Sequence, residues 1–234
     1  MQPLDSEAAG ALVLLECGAT EQNWTDVQRS AWSRFILAQM LRAPEDITLL
    51  IWLVRQTFEA DDKIKEMAQG ANVTDAEMRA YVEQQRDTQP YELARMLMDH
   101  EGIGARFNKM HWRVLDVGSD IPLLTSDRPV WMTATISEDD ALLWMPIGPR
   151  KLFTATVNLT TQRKLFAKSR REVAKNVNEL VVRHAVNCVY GLSDSALVFV
   201  QRYFATRKHS SLLERLAAYR GLKTVAPDSD LTKT

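Results

Sequence analysis

Near Lys109 the spacing of apolar residues changes, and nothing else in the chain constrains its fold as much. Before that point apolar residues recur every three or four positions, as in Val27, Ala31, Phe35, Ala38 and Leu41, then Ile47, Leu50, Ile51, Val54, Phe58 and Ile64. That spacing puts them on one face of successive helices. After it, His111-Trp112-Arg113-Val114-Leu115-Asp116-Val117 alternates as a strand does. Pro129–Ile136, Ala141–Ile147 and Lys151–Val157 read as three more strands, with Phe153, Ala155 and Val157 on one side of the last. Ser137–Asp140 is expected as a polar hairpin loop and Pro146–Pro149 as a turn. Such short links exclude helical crossovers, so the sheet is expected to be antiparallel. Helical spacing returns after Asn158. The expectation is an α+β fold: a helical N-terminal half over 1–104, a small antiparallel sheet over 109–157, and C-terminal helices over 160–221 packed on it. It is read as a single α+β domain over 1–224 with a loose tail at 225–234.

Local signals place the helix ends. Thr25 with Gln28, Thr74 with Glu77 and Ser169 with Glu172 fit capping boxes. The helices are expected to begin near Ser6, Thr25, Ile47, Thr74, Tyr91, Thr160, Ser169 and Leu212. Gly18, Gly70, Gly102 and Gly191 are expected as helix stops, Pro44 as a boundary and Pro90 as an interruption. Val173, Val177, Leu180, Val181, His184 and Cys188 are expected on one face of the helix that Gly191 ends. Ala196–Phe204 fits either helix or strand. Trp24, Trp32 and Trp52 read as core. Trp112, Trp131 and Trp144 fall on three of the strands, where they either pack in the core or line a pocket beside Asp127.

Composition bounds the function classes. The net charge of -1 gives no global attraction to nucleic acid or anionic membrane. Cys17 and Cys188 lack CxxC spacing, fall in apolar helical patterns and read as buried thiols in a reducing compartment. The start at Met1–Asp5 lacks a basic region followed by an apolar one, and Ile47–Val54 is too short to span a bilayer. A soluble, cytoplasmic protein with no membrane partner is expected.

Chemistry-bearing residues are few. Pro122-Leu123-Leu124-Thr125-Ser126-Asp127-Arg128-Pro129-Val130 sets small polar groups between two apolar runs. Side chains of Ser126 and Asp127 can fix a turn through nearby backbone N–H groups, which explains the segment structurally. The functional reading turns Thr125, Ser126, Asp127 and Arg128 toward a cleft, where Asp127 meets a cation, hydroxyl or amine. His111 is added because its strand is expected to neighbour that segment, and Trp112 and Arg42 complete the candidate binding set. His184 reads as a core histidine, and His100 as a cation at a helix C-terminus. No histidine pair has metal-ligand spacing, no nucleophile elbow or phosphate-binding loop occurs, and Gly102-Ile103-Gly104 reads as a helix stop. No metal site is assigned and any cofactor is left unknown. Lys164, Lys168, Arg171 and Lys175, with Arg163 and Arg170, lie within thirteen residues with Glu172 as the only acid. A continuous helix would carry the four on one face, either as a solvated surface or as a footprint for nucleic acid.

Taken together these motifs resemble a bacterial domain-of-unknown-function family. Its members open with a His-Tyr-Val-Pro motif and carry Thr-Ser-Asp-x-Pro in mid-chain. The matching positions are Trp112, Thr125, Ser126, Asp127, Pro129, Pro146, Pro149 and Asn178, with Phe35–Pro44 similar to the family's helix ending in Arg-x-Pro. The resemblance runs roughly from Glu16 to Tyr190 and implies no activity. This chain lacks the His-Tyr-Val-Pro segment; if that segment supplies a strand and a catalytic histidine, the chain is expected to be incomplete as an enzyme. Two readings follow. One is a ligand-binding or interaction module, for a small ligand or a protein partner, with a polar site at Thr125–Asp127. The other is a hydrolase, a nuclease included, that uses Asp127 with the basic surface.

Overall fold

The structure, a computed structural model, describes residues 2–18, 24–41, 43–58, 61–118, 120–133, 138–207 and 213–214. The helices are α1 (Gln2–Glu16), α2 (Asp26–Leu41), α3 (Pro44–Phe58), α4 (Asp61–Ala71), α5 (Asp75–Met98), α6 (Glu101–Lys109), α7 (Leu159–Phe166), α8 (Arg170–His184) and α9 (Leu197–Tyr203). The strands are β1 (His111–Asp116), β2 (Thr125–Ser126), β3 (Trp131–Met132), β4 (Leu142–Pro146), β5 (Lys151–Thr156) and β6 (Val189–Tyr190). The fold is α+β with an antiparallel sheet, as the pattern of the sequence requires. The described residues divide into two compact units, Met1–Met40 with His100–His209, and Leu41–Asp99 with Ser210–Thr234.

In the first unit four strands pair in the order β1-β5-β4-β3, and β2 and β6 form a separate two-stranded ribbon. Alternation sends side chains to two cores. Trp112 of β1, Leu143 and Met145 of β4 and Phe153 and Ala155 of β5 meet Ala11 and Leu15 of α1, Trp32 and Ile36 of α2 and Phe107 of α6. The intervening Leu115, Trp144 and Leu152 meet Val173, Val177, Val181 and Val182 of α8. Covering both faces explains why every residue of β5 after Lys151 is buried. Trp112 and Trp144 therefore serve opposite faces of the sheet: Trp112 sits among Trp24, Phe107 and Phe153, while Trp144 stacks on Trp131 at 5.4 Å.

The second unit is helical. Ile64 and Ala68 of α4 pack on Met78 and Val82 in the first half of α5. Leu49 and Leu50 of α3 pack on Ala94 in its second half. Pro90, expected to interrupt the helix, is buried within it and α5 runs continuously through. Packing on both sides of Pro90 outweighs the lost backbone hydrogen bond.

Several helix ends differ from expectation. The Thr74–Glu77 capping box is complete, and Thr25 and Gln28 bond reciprocally. At Ser169 only the cap's half is made, since Ser169 accepts from the Glu172 N–H while the Glu172 carboxylate turns to Lys168. Gly18 ends α1 with a φ of +75°. Gly70 stays helical, and Asn72 at φ +55° supplies the left-handed stop of α4 instead. Gly102 and Gly104 lie inside α6 rather than stopping a helix. His100, expected at the end of a helix, is the N-cap of α6, where its ring accepts from the Ile103 N–H at 3.4 Å. Segment 196–204 resolves as helix through α9. The β3 strand is short, and positions 134–137 of the expected strand and its loop lie outside the described residues, as do most of 212–219 and all of 225–234.

Phe153 is fully buried and touches the Trp32 and Trp112 rings at 5.5 and 5.6 Å. Phe153→Ala is expected to cost about 3–5 kcal/mol in urea unfolding followed by tryptophan fluorescence, with the slope unchanged.

Candidate functional site

Segment 122–128 is tied to α8 and the turn that follows it. Burying Leu123 and Leu124 strips water from their backbone, which must then find partners. The Asn178 side chain, 5% exposed on α8, provides two: its oxygen accepts from the Leu124 N–H and its amide donates to the Pro122 carbonyl, both at 2.8 Å. Leu123 N–H donates to the Pro149 carbonyl at 2.8 Å. The chain then enters β2, where Thr125 pairs with Tyr190 and Ser126 with Val189.

Asp127 closes the arrangement. Its backbone N–H donates to the Cys188 carbonyl at 3.2 Å, extending the ribbon by one pair. Its carboxylate accepts from the Val186 N–H at 3.1 Å, the Asn187 N–H at 3.0 Å and the Asn187 side chain at 3.4 Å. Three donors thus occupy both oxygens, and they come from the turn just past the end of α8. Ser126, 5% exposed, accepts from the Arg128 N–H at 3.1 Å and fixes the next bend.

Side chains alternate across a ribbon, so Thr125, Asp127, Cys188 and Tyr190 share one face while Leu124, Ser126 and Val189 share the other. The first face is polar and partly open, with Tyr190 59% exposed. The Cys188 thiol donates to the Tyr190 hydroxyl at 3.1 Å. The Cys188 sulfur beside it first, then burial and the Asp127 carboxylate, hold the phenol above its ordinary value of 10. Tyr190 and Cys188 escaped the sequence reading because α8 was expected to continue to Gly191. It ends at His184, and Cys188, expected buried, is half-exposed, as Cys17 is exposed. Gly191 does not end a helix; a Cβ there would come within 2.8 Å of Leu124, so the glycine permits the ribbon to approach the Leu124 side chain. Alternation at Cys188-Val189-Tyr190 ahead of that glycine was the available signal.

Behind the turn, His184 is buried at the end of α8. Burial first, then the charges of Arg207, Arg128 and Arg183, hold its imidazole below the ordinary 6.5. Arg183 is set by Glu179 at 2.9 Å and Thr206 at 3.2 Å, and the Arg207 N–H donates to the Arg183 carbonyl at 3.1 Å.

The other expected site residues lie elsewhere. His111 begins β1, which pairs with β5, and so belongs to a different sheet from Thr125 and Ser126. Its carbonyl accepts from the Gln162 amide at 3.3 Å. Trp112 is 5% exposed in the first core, its indole N–H bonded to the Phe107 carbonyl at 3.1 Å and its ring under the Arg29 guanidinium at 4.1 Å. Arg42 lies outside the described residues. The basic residues do not form one continuous helical stripe, because Ser169 caps a new helix: Lys164 is on α7, Lys168 in the turn, Arg171 and Lys175 on α8. Among the described residues no group of three or more His, Cys, Asp or Glu side chains is placed to hold a metal ion.

The chain belongs to the family described as "Protein of unknown function (DUF4238)", whose model matches residues 1–195. No curated protein and no solved structure matches it. Among the described residues no helix is long and apolar enough to cross a membrane.

Asn178→Ala is expected to lower stability by about 1–3 kcal/mol, because it strands a buried donor and a buried acceptor together. His184 makes stability depend on pH. The unfolded chain takes up a proton near 6.5 that the folded protein resists, so this contribution is complete above 6.5 and is lost as the pH falls to the lowered folded value. Melting temperature is expected to drop between pH 7 and pH 5 by less in His184→Gln than in the unaltered chain.

Proposed function

We propose that this protein is a binding module, and that the Thr125–Asp127 segment builds its polar site rather than reacting in it. The observation that carries the reading is the carboxylate of Asp127, committed to Val186 and Asn187 by three hydrogen bonds. A general base or a metal ligand has to turn its carboxylate toward substrate, and here three hydrogen bonds hold the carboxylate to a turn. The groups left toward solvent on the ribbon face are the Thr125 hydroxyl, the Tyr190 phenol and the Cys188 thiol. As hydrogen-bonding groups, they suit a polar ligand rich in donors and acceptors, or a short segment of a partner protein. The alternative, a hydrolase acting through Asp127, has less support: His111 lies in another sheet, and among the described residues no group of three or more His, Cys, Asp or Glu gathers at Asp127. Two free thiols fit a reducing compartment, and we take the protein to be a soluble, cytoplasmic one of bacterial origin on that support and the resemblance above.

Two substitutions separate building from binding. Asp127→Ala is expected to cost about 1–2 kcal/mol of stability. Tyr190→Phe, on an exposed side chain, is expected to leave melting unchanged and to abolish the shift given by any hit from a thermal-shift screen of sugars, nucleosides and amino acids. A hydrolytic activity lost in Asp127→Asn with melting unchanged would overturn the reading.

A further inference from the structure

The second feature of the first unit is its charge. Arg163 and Lys164 lie in the last turn of α7, Lys168 in the turn that follows, and Arg170, Arg171 and Lys175 at the start of α8. All six are exposed. Arg113 of β1, also exposed, lies over the Phe166 ring at 5.1 Å and brings a seventh cation to the same end of α7. Among the described residues Lys168 alone of the six has an ion pair, to Glu172 at 3.1 Å. The other acid on the exposed side of α8, Glu179, is paired with Arg183 at 2.9 Å. In a chain of net charge -1, this end of the unit therefore carries unneutralised positive charge.

Two facts make this more than a solvated face. Arg170 and Arg171 stand in the first turn of α8, where the helix dipole is already positive and cations are disfavoured. The turn also breaks the helix, so the cations fan out over the ends of two helices instead of lining one. The acidic turn at Glu138–Asp140 lies at the other end of α7, bonded through the Asp139 carbonyl to Asn158, the cap there. Eight residues of helix, about 12 Å, separate that cap from the turn that holds Lys168.

We propose that the α7–α8 junction is a nucleic-acid-binding surface that engages the phosphate backbone without reading sequence. Linear spacing of negative charge matches cations spread over two helix ends, and backbone contact requires no base-specific side chain. An anionic membrane is less well matched. Surface-bound helices insert apolar side chains beside their basic ones, whereas none of the large exposed apolar residues falls between Leu159 and Val186. The proposal is independent of the polar site on the ribbon.

The test measures fluorescence anisotropy of labelled 20-nucleotide single-stranded DNA, duplex DNA and RNA with the full chain at 50 to 200 mM NaCl. Sedimentation with phosphatidylserine-containing vesicles runs beside it. If about five phosphates are contacted, duplex affinity falls about 500-fold over that salt range. Arg170→Glu with Arg171→Glu is expected to reduce binding at least tenfold. Since acids suit the start of a helix, this variant should melt no lower than the unaltered chain. Arg95→Glu, on exposed α5, is the control expected to bind normally. No oligonucleotide binding at 50 mM NaCl, equal binding by the double variant, or binding to vesicles alone would overturn the proposal.

Discussion

The first unit depends on how the backbone of 122–127 is satisfied once Leu123 and Leu124 are buried. Two side chains do this from one helix and its aftermath. Asn178 answers the donor and acceptor of Leu124 and Pro122, and Asp127 gathers the free N–H groups past the end of α8. Each bond is worth little in net terms, but leaving a buried group unmet costs more than making the bond gains. The clamp therefore acts mainly by excluding alternatives. A register slip of one residue in β2 would turn Leu124 outward and Thr125 inward and would break the Asn178 pair. That is how a ribbon of only two paired residues per strand can hold a fixed register.

The clamp also explains why α8 ends where it does. Beyond His184 a further turn of helix would spend the Val186 and Asn187 N–H groups on the helix itself and leave the Asp127 carboxylate facing its own backbone. Instead the end of α8 is covered from the other side. The Ala205 and Arg207 N–H groups donate to the Val182 and Arg183 carbonyls, so the last turn has partners both before and after the ribbon. Ala205 adopts a φ of +53° to reach them. The positive groups Arg128, Arg183 and Arg207 collect at this negative helix end, and the same charges disfavour a proton on His184.

What could be read from the sequence was what periodicity carries. Helix against strand, the antiparallel links, the capping boxes at Thr25 and Thr74 and the core face of α8 all follow from the spacing of residues near in sequence, whereas Val27, expected on the core face of α2, is exposed and Trp32 and Ile36 fill the core from that helix. What failed was decided at a distance. Pro90 is tolerated because α3 and α4 hold the two halves of α5. The apolar stripe from Val173 to Cys188 overran the helix because Cys188 and Val189 are apolar for a strand that pairs with Thr125, some sixty residues earlier. A ribbon of two-residue strands leaves only the short alternation at Cys188-Val189-Tyr190 as a trace. For the same reason the polar segment was located but not understood: its residues were legible, whereas Asp127's partners at Val186 and Asn187 were not.

That distinction bears on how a short polar motif is weighed. Thr-Ser-Asp between apolar runs looks like reactive groups presented by a scaffold. Here the most ionic of the three is spent on backbone N–H groups, the most buried is spent on the Arg128 N–H two residues on, and only Thr125 is left on the open face. The reactive-looking residues make the scaffold, and the surface they hold out is supplied by Cys188 and Tyr190, which no motif marked. Charge follows a similar division. The carboxylates that are fixed by geometry serve structure, while among the described residues the six cations at the α7–α8 junction make one ion pair, and Arg170 and Arg171 are placed against the dipole of the helix they begin. A protein can carry such an arrangement at little cost when the surface spends part of its time against a polyanion, because the phosphate then meets the helix dipole and the arginines together.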